Sequence, residues 1–151
     1  MEGYEQVIWE EFNKREGEYK IIKETKQVLD FSNRTGQADQ CRVLFDESIA
    51  IAQKLRDKSL ECHILEDMAE SYNKSGNYEE SRKITNKALL MALEIGDKEK
   101  ECALTGNLGE IAENKGNLSE ARQQYETALN IANEIHSYHY QDLWRTKLNE
   151  L

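Results

Sequence analysis

Three side chains near the carboxyl end have the types and the spacing of metal ligands. His136, His139 and Asp142 follow one another at intervals of three residues, so a helix would place them on one face. Imidazole and carboxylate groups are ordinary ligands of zinc. Such sets are frequent on polar helices, and ligands drawn from a single helix make a weak site. We therefore expect no metal and no other cofactor.

Cys62 stands next to His63, and Cys102 follows forty residues after Cys62. A thiol activated by an imidazole can act as a nucleophile. The two cysteines, however, occupy equivalent positions of the repeat described below, where a small apolar residue would pack in the core. The sequence also contains no glycine-rich phosphate loop and no GxSxG or HExxH motif. We predict that the protein is not an enzyme.

The composition of the chain excludes several functional classes. It has 151 residues with 20 basic and 29 acidic side chains, a formal charge of −9, so neither nucleic acid nor an anionic membrane is an expected partner. No apolar run approaches the roughly 20 residues of a membrane helix, and no signal peptide is readable at the start. Three unpaired cysteines without a CxxC motif favour a reducing compartment, the cytoplasm.

Residues recur along the chain at intervals of forty. Gly36, Gly76 and Gly116 share this spacing, and each is followed by an amide side chain. Other columns at the same spacing are Arg42/Arg82/Arg122, Ile49/Leu89/Leu129, Ala52/Ala92/Ala132 and Leu55/Ile95/Ile135. A period of this length is typical of stacked supersecondary units. We expect the arginine column to form ion pairs with acids such as Glu79 or Asp46.

Each unit is predicted to be a pair of helices. In the third unit Asp97 is a good N-cap residue, and apolar residues continue at helical spacing as far as Gly116, where a turn is expected. A second helix is predicted from about 119 to 135. Because Pro is absent, nothing interrupts such helices. Small residues at Cys41/Ser81/Ala121 and at Ser48/Ala88/Ala128 would let the helices approach closely.

The unit resembles a tetratricopeptide (TPR) repeat. The family's signature falls on Leu108, Gly109, Ala112, Gly116, Ala121, Tyr125 and Ala128 in the third unit and, less well, on Met68, Ala69, Tyr72, Gly76, Ser81, Thr85 and Ala88 in the second. The common repeat has 34 residues and a proline near its end, whereas this one has forty residues and none. In repeat length it is similar to Pins-type polarity adaptors, kinesin light chains and Rap-type regulators. The resemblance implies an all-α, right-handed superhelix of antiparallel helix pairs.

The repeat phase divides the chain into about eight helices in a single TPR domain. We expect a half-repeat helix at 4–15, repeats at 18–56, 57–96 and 97–136, and a terminal half-repeat helix at 137–151. The last helix carries Trp144 and Leu148. It either packs inward with a charged outer face or belongs to a longer array, and weak self-association of a monomer through an exposed end is a third alternative.

The resemblance also implies a binding surface, because the first helices of successive TPR units line a concave groove that holds a peptide or a partner helix. The positions that face this groove map onto Lys23, Lys26, Asp30 and Asn33 in the first unit, His63, Glu66, Asp67, Glu70 and Asn73 in the second, and Asn107, Glu110, Glu113 and Asn114 in the third. Lys74 and Gly106 also map to it. The groove is then mixed in charge at its start and acidic from its middle.

Carboxylates along a groove favour a ligand with Lys or Arg, although a solvated acidic face is the alternative. The TPR proteins that bind chaperone tails carry Lys and Asn where this chain has Lys26 and Asp30, so that function is not expected. We predict a non-catalytic adaptor or scaffold whose protein or peptide partner carries basic residues. A peptide-sensing regulator of the Rap-like type and a fragment of a larger TPR scaffold are the alternatives.

Overall fold

The computed structural model describes residues 6, 10, 13–23, 27 and 38–151. Residues 13–23 are helical. Six helices follow within 38–151, and no strand occurs among the described residues: α1 (Ala38–Lys54), α2 (Lys58–Lys74), α3 (Tyr78–Ile95), α4 (Lys98–Asn114), α5 (Leu118–Glu134) and α6 (Tyr138–Glu150). The predicted all-α architecture is confirmed, and the helices of the third unit lie within about one residue of their predicted limits. No described helix combines the length and the apolar character that a bilayer crossing requires.

The turns between these helices share one geometry, which recurs every twenty residues. A residue with a left-handed φ follows each helix: Arg56, Gly76, Gly96, Gly116 and His136, with φ between 54° and 84°. The N–H of the next residue donates to the carbonyl five residues earlier, as from Asn77 to Tyr72 at 2.9 Å, which is the Schellman closure of a helix end. The backbone period is therefore half of the forty-residue period seen in the side chains.

The residue after each left-handed position begins the next helix. The side chains of Asp57, Asp97, Asn117 and Ser137 accept a hydrogen bond from the backbone N–H three residues later. The bond from Lys100 N to Asp97 Oδ1 measures 2.9 Å, so the predicted N-cap is confirmed. Asn77 occupies the same position but makes no side-chain cap. Because each turn closes one helix and four of the five also cap the next, helix starts stay twenty residues apart.

Successive helices pack as antiparallel pairs and the pairs stack. Each helix from α1 to α5 contacts the next, and α2 also contacts α4, which contacts α6. Both columns of small residues are buried, with Ser81, Ala88, Ala121 and Ala128 fully enclosed. Close approach at these positions leaves two apolar clusters, both of which include residues of α4. The first helices of successive units, α2, α4 and α6, lie side by side.

The predicted division at Gly17 does not appear as a break in the helix. Residues 13–23 run continuously through Gly17, whose φ is not left-handed and whose missing Cβ faces open space. Glycine is tolerated inside a helix at a cost of about 1 kcal/mol, so one glycine without a cap does not end it. This segment is joined to α1 through Lys54 Nζ and Glu18 Oε1, which are 2.9 Å apart.

The last helix packs inward through Trp144, which is 2% exposed. Its outer side is polar. Asp142 and Arg145 are exposed, whereas Cys102 and Thr105, at the same repeat positions in α4, are buried. Trp144 thus packs inward, while charged residues and Tyr138, which is 82% exposed, face solvent.

Candidate functional site

The candidate site is the side of the stack formed by α2, α4 and α6. Of the predicted groove residues, Lys26, Asp30 and Asn33 lie outside the described residues. Lys23, Glu70 and Asn114 are exposed, and the others are half-buried: His63, Glu66, Asp67, Asn73, Asn107, Glu110 and Glu113. Partial exposure leaves one side of each polar group accessible to a ligand.

A small hollow lies between α2 and α4. Glu70 and Asn73 of α2 and Asn107 and Glu110 of α4 line it, and all four are predicted groove residues. Its floor consists of the side chains Ala69, Ser81, Thr85 and Ile111. The hydroxyls of Ser81 and Thr85 donate within the protein, to Ala69 O at 2.6 Å and to Ser81 O at 2.8 Å. The groups left around the hollow are therefore two amides and two carboxylates, which we call the amide hollow.

The carboxylate of Glu66 already has partners inside the protein. Lys100 Nζ of α4 lies 2.6 Å from Glu66 Oε2, and His63 Nδ1 lies 3.8 Å from the same oxygen. Burial raises the pKa of Glu66, but hydrogen bonds from His63 and Lys100 outweigh burial, and the pKa is lowered overall. The carboxylate is thus held ionised by a cation of the next unit.

Three further carboxylates of this surface are also engaged. Lys147 Nζ of α6 lies 3.1 Å from Glu110 Oε1, and Lys74 Nζ lies 2.7 Å from Glu70 Oε1. The hydroxyl of the buried Tyr125 donates to Glu113 Oε2 at 2.6 Å. Since Glu66, Glu70 and Glu110 each meet a lysine, the predicted groove is electrostatically more balanced than its carboxylates alone indicate.

A second, larger hollow lies between residues 13–23 and α2. It has a volume of about 280 Å³ and opens to solvent. Ile22, Phe45, Leu60 and Ile64 supply most of its wall, while Lys23, His63 and Asp67 of the predicted groove also line it. We call it the apolar cavity. The residues that recur every forty positions did not predict this cavity. Its four apolar wall residues occupy four different positions of the repeat and so do not form one recurring set.

The residues considered for chemistry do not converge. Cys62 and Cys102 are buried, and their thiols donate to Ala88 O at 3.3 Å and Ala128 O at 3.2 Å, so both pack as predicted. Burial raises the pKa of each thiol. Among the described side chains, no group of three histidine, cysteine or acidic residues is placed to hold a metal ion.

Two members of the arginine column, Arg42 and Arg82, form ion pairs, but with other acids than those predicted. Arg42 Nη1 lies 3.5 Å from Glu80 Oε1, and Arg82 Nη2 lies 2.7 Å from Glu120 Oε1. Each pair joins the second helices of successive units. Glu79 instead pairs with Lys115. The expectation of Glu79 or Asp46 was wrong because the guanidinium reaches across the stack to the next unit, 38 residues on, rather than along its own helix.

Gly106 is not a groove residue. It is buried, and a Cβ placed there would overlap the indole ring of Trp144. Trp144 also stacks on Tyr125, with ring centroids 5.8 Å apart and planes 20° apart. The prediction failed because the position faces the groove in the second unit, where it is Glu66, but lies under the last helix in the third.

Comparisons with known proteins agree with this architecture. The sequence model of the tetratricopeptide repeat family matches residues 60–134. The TPR domain of Arabidopsis FLU is similar in structure, with a TM-score of 0.66 at 15% identity over 78% of this chain and 98% of that domain. BtubC (BKLC) from P. vanneervenii has a TM-score of 0.64 at 19% identity over 82% of this chain.

The chain spans 57% of the length of BtubC. No curated protein matches the sequence. TPR domains in general bind protein partners and are non-catalytic repeat scaffolds. The turns recur every twenty residues, the helix pairs stack, and the family model matches residues 60–134. Together these findings show that the chain belongs to the tetratricopeptide repeat family.

Proposed function

We propose that the chain is a non-catalytic adaptor that binds a peptide or a helix of a partner protein along the surface of α2, α4 and α6. The amide hollow is the observation that carries this proposal. The amide of Asn107 offers both a donor and an acceptor. The Asn73 Oδ1 already accepts from Asn114 Nδ2 at 3.0 Å, so Asn73 contributes mainly its NH₂ donors. Together these two amides can bind a peptide backbone whatever its sequence. Glu70 and Glu110 beside them can accept hydrogen bonds from a lysine or arginine of the partner.

A partner with basic residues fits the charge of the chain, which is −9. Among the described residues, Glu70 forms its ion pair with Lys74 of its own helix, and both side chains are more than half exposed, so this pair can open without loss of core packing. Exposed pairs of this kind are worth little in water. A basic ligand would therefore replace Lys74 at small cost, and its association would slow as the salt concentration rises.

The remaining features fit an adaptor rather than an enzyme. The Cys62 thiol is buried with a raised pKa, the opposite of what a nucleophile needs. All three cysteines are unpaired, which suits the cytoplasm. We expect a monomer or weak self-association, since the outer side of α6 is polar.

A selection experiment tests the proposal. Peptides that bind the wild-type chain are selected from a random display library, and their affinities are measured by isothermal titration calorimetry. We expect enrichment of lysine and arginine. The double variant Asn73→Ala/Asn107→Ala should bind the selected peptides about tenfold more weakly, because two hydrogen bonds are lost.

The matched control is Asn86→Ala/Asn130→Ala, which removes two exposed amides from the second helices α3 and α5 and should leave affinity unchanged. Selection of acidic peptides would contradict the charge preference. If the two double variants bind the selected peptides with equal affinity, the amide hollow is not part of the binding site.

A further inference from the structure

The apolar cavity lies on the same helix as the amide hollow and has a different chemical character. Phe45, which is 1% exposed, and Ile64, which is 5% exposed, belong to its wall. Pockets for whole drug-sized ligands usually measure about 300–1,000 Å³. At about 280 Å³, this cavity is suited to a single large side chain.

The two hydroxyl groups within the wall are already satisfied elsewhere. The Ser48 hydroxyl donates to Leu44 O at 2.9 Å, and the Tyr19 hydroxyl donates to Asp57 Oδ2 at 2.6 Å. Neither group needs a partner inside the cavity. An apolar occupant can therefore fill the space without leaving these hydroxyls unpaired.

The wall also favours an aromatic occupant over an aliphatic one. Tyr19, Phe45 and His63 each contribute a ring. Rings in contact gain about 0.5–1.5 kcal/mol beyond the area that they bury, which corresponds to roughly two- to tenfold in affinity.

Residues of α2 line both the cavity and the amide hollow. Asp67 lines the cavity, and Glu70, one helical turn later, lines the hollow. Three residues of a helix advance by about 4.5 Å, whereas each residue of an extended peptide advances by about 3.3 Å. A residue next to one held in the cavity would thus reach these two carboxylates.

We infer that the cavity binds an aromatic side chain of the partner polypeptide, with a lysine or arginine next to it facing Asp67 and Glu70. This inference rests on the proposed function, since it assigns the cavity to the same ligand. The aromatic ring supplies apolar burial, and the basic neighbour supplies charge complementarity.

Short probes test the inference directly. N-acetyl-Trp-Lys-amide, N-acetyl-Leu-Lys-amide, N-acetyl-Ala-Lys-amide and N-acetyl-Trp-Glu-amide are titrated into the isotope-labelled chain, and amide shifts are followed by NMR. We expect Trp-Lys to shift the amides of Leu60 and Ile64 saturably, with a dissociation constant two- to tenfold below that of Leu-Lys. Ala-Lys should not saturate, and Trp-Glu should bind more weakly than Trp-Lys.

Cavity-filling variants provide the second arm. Leu60→Trp fills the cavity from α2 and should abolish the shifts, whereas Leu90→Trp, at a leucine that is 64% exposed on α3, should not. His63→Trp fills it from the rim, so the test holds if one variant loses helicity by circular dichroism. Equal binding of Trp-Lys and Leu-Lys, or unchanged shifts in both filled variants, would overturn the inference.

The two proposals fail separately. If the probes do not bind while library-selected peptides still depend on Asn73 and Asn107, the aromatic assignment is wrong and the adaptor proposal stands. If no selected peptide depends on these amides while Trp-Lys still occupies the cavity, the proposed groove is wrong, and so is the assignment of the cavity to its ligand.

Discussion

Lys100 Nζ lies 2.6 Å from Glu66 Oε2 and joins the start of α4 to the middle of α2. Both side chains are less than a quarter exposed. This ion pair is therefore partly buried, and water and salt screen it less than they screen a pair at the surface. It fixes two neighbouring first helices along the proposed binding surface.

The substitution Glu66→Gln should make the free energy of unfolding depend less on pH in the acid range. The folded pKa of Glu66 is below its ordinary value of 4.5, so its contribution is complete above about pH 4.5 and is lost as the pH falls through the lowered folded value. We expect the free energy of unfolding of the wild type to exceed that of the variant by about 1–3 kcal/mol at pH 7 and by less at pH 3. Urea unfolding at each pH measures this difference.

The control for this prediction is Lys58→Met, which breaks the exposed pair between Lys58 and Glu94, 3.6 Å apart. It should change stability little at either pH. A difference between wild type and Glu66→Gln that stays constant from pH 7 to pH 3 would contradict the ionic origin of the effect.

The left-handed turn residues offer a test of backbone strain. Arg56 and His136 have φ of 55° and 54°, at positions where Gly96 stands in the equivalent turn. A side chain in this conformation costs about 1–2 kcal/mol, partly offset by the greater freedom of an unfolded glycine. Arg56→Gly and His136→Gly should each raise the free energy of unfolding by about 0.5–1 kcal/mol in chemical denaturation.

Gly76→Ala is the reciprocal variant, because Gly76 has φ 84° and open space around it. It should lower stability by about 1 kcal/mol. Destabilisation by Arg56→Gly and His136→Gly would show that these side chains make compensating contacts.

Gly106→Ala should destabilise the protein by overpacking. A methyl group at position 106 overlaps the Trp144 ring, and forced repacking of a filled core costs about 1–3 kcal/mol. The control is Gly17→Ala, at an exposed helical position with nothing within 4 Å, where a gain of about 0.4–1 kcal/mol is expected. Urea unfolding of both variants measures the contrast, and a neutral Gly106→Ala would mean that α6 can shift outward.

The thiols should be unreactive in the folded protein. Cys41, Cys62 and Cys102 are at most 3% exposed, and burial raises the pKa of Cys62 and Cys102. Since the thiolate is the reactive form, we expect slow labelling by Ellman's reagent in buffer and complete labelling in denaturant. Fast modification of Cys62 in the native state would reopen a nucleophilic role.

The sequence predicted the helix pairs well because core positions repeat. Residues such as Ala88 and Ala128 occupy the same buried place in successive units, so their spacing of forty reports the stacking directly. The turn at Arg56 was missed as a left-handed position, since only the equivalent Gly96 has the residue type that signals it.

The electrostatics of the site could not be predicted in the same way. Lys100 pairs with Glu66 across 34 positions, and Lys147 pairs with Glu110 across 37. Neither pair has an equivalent forty residues away, since Gly106 and Tyr140 stand at the positions of Glu66 and Lys100, and Glu70 and Asn107 at those of Glu110 and Lys147. The sequence therefore predicted a row of carboxylates on the first helices but not which lysines already neutralise them.

The packing of the Trp144 indole against Gly106 has a consequence for the fidelity of folding. Repeat chains are prone to docking errors in which one unit takes the place of another, because their interfaces resemble each other. Only glycine leaves room for the indole at this place, and the corresponding position of α2 is Glu66. The indole of α6 therefore fits against α4 but not against α2. If α6 packed on α2 instead, Trp144 would clash with the side chain of Glu66 and would bury its charge without a partner.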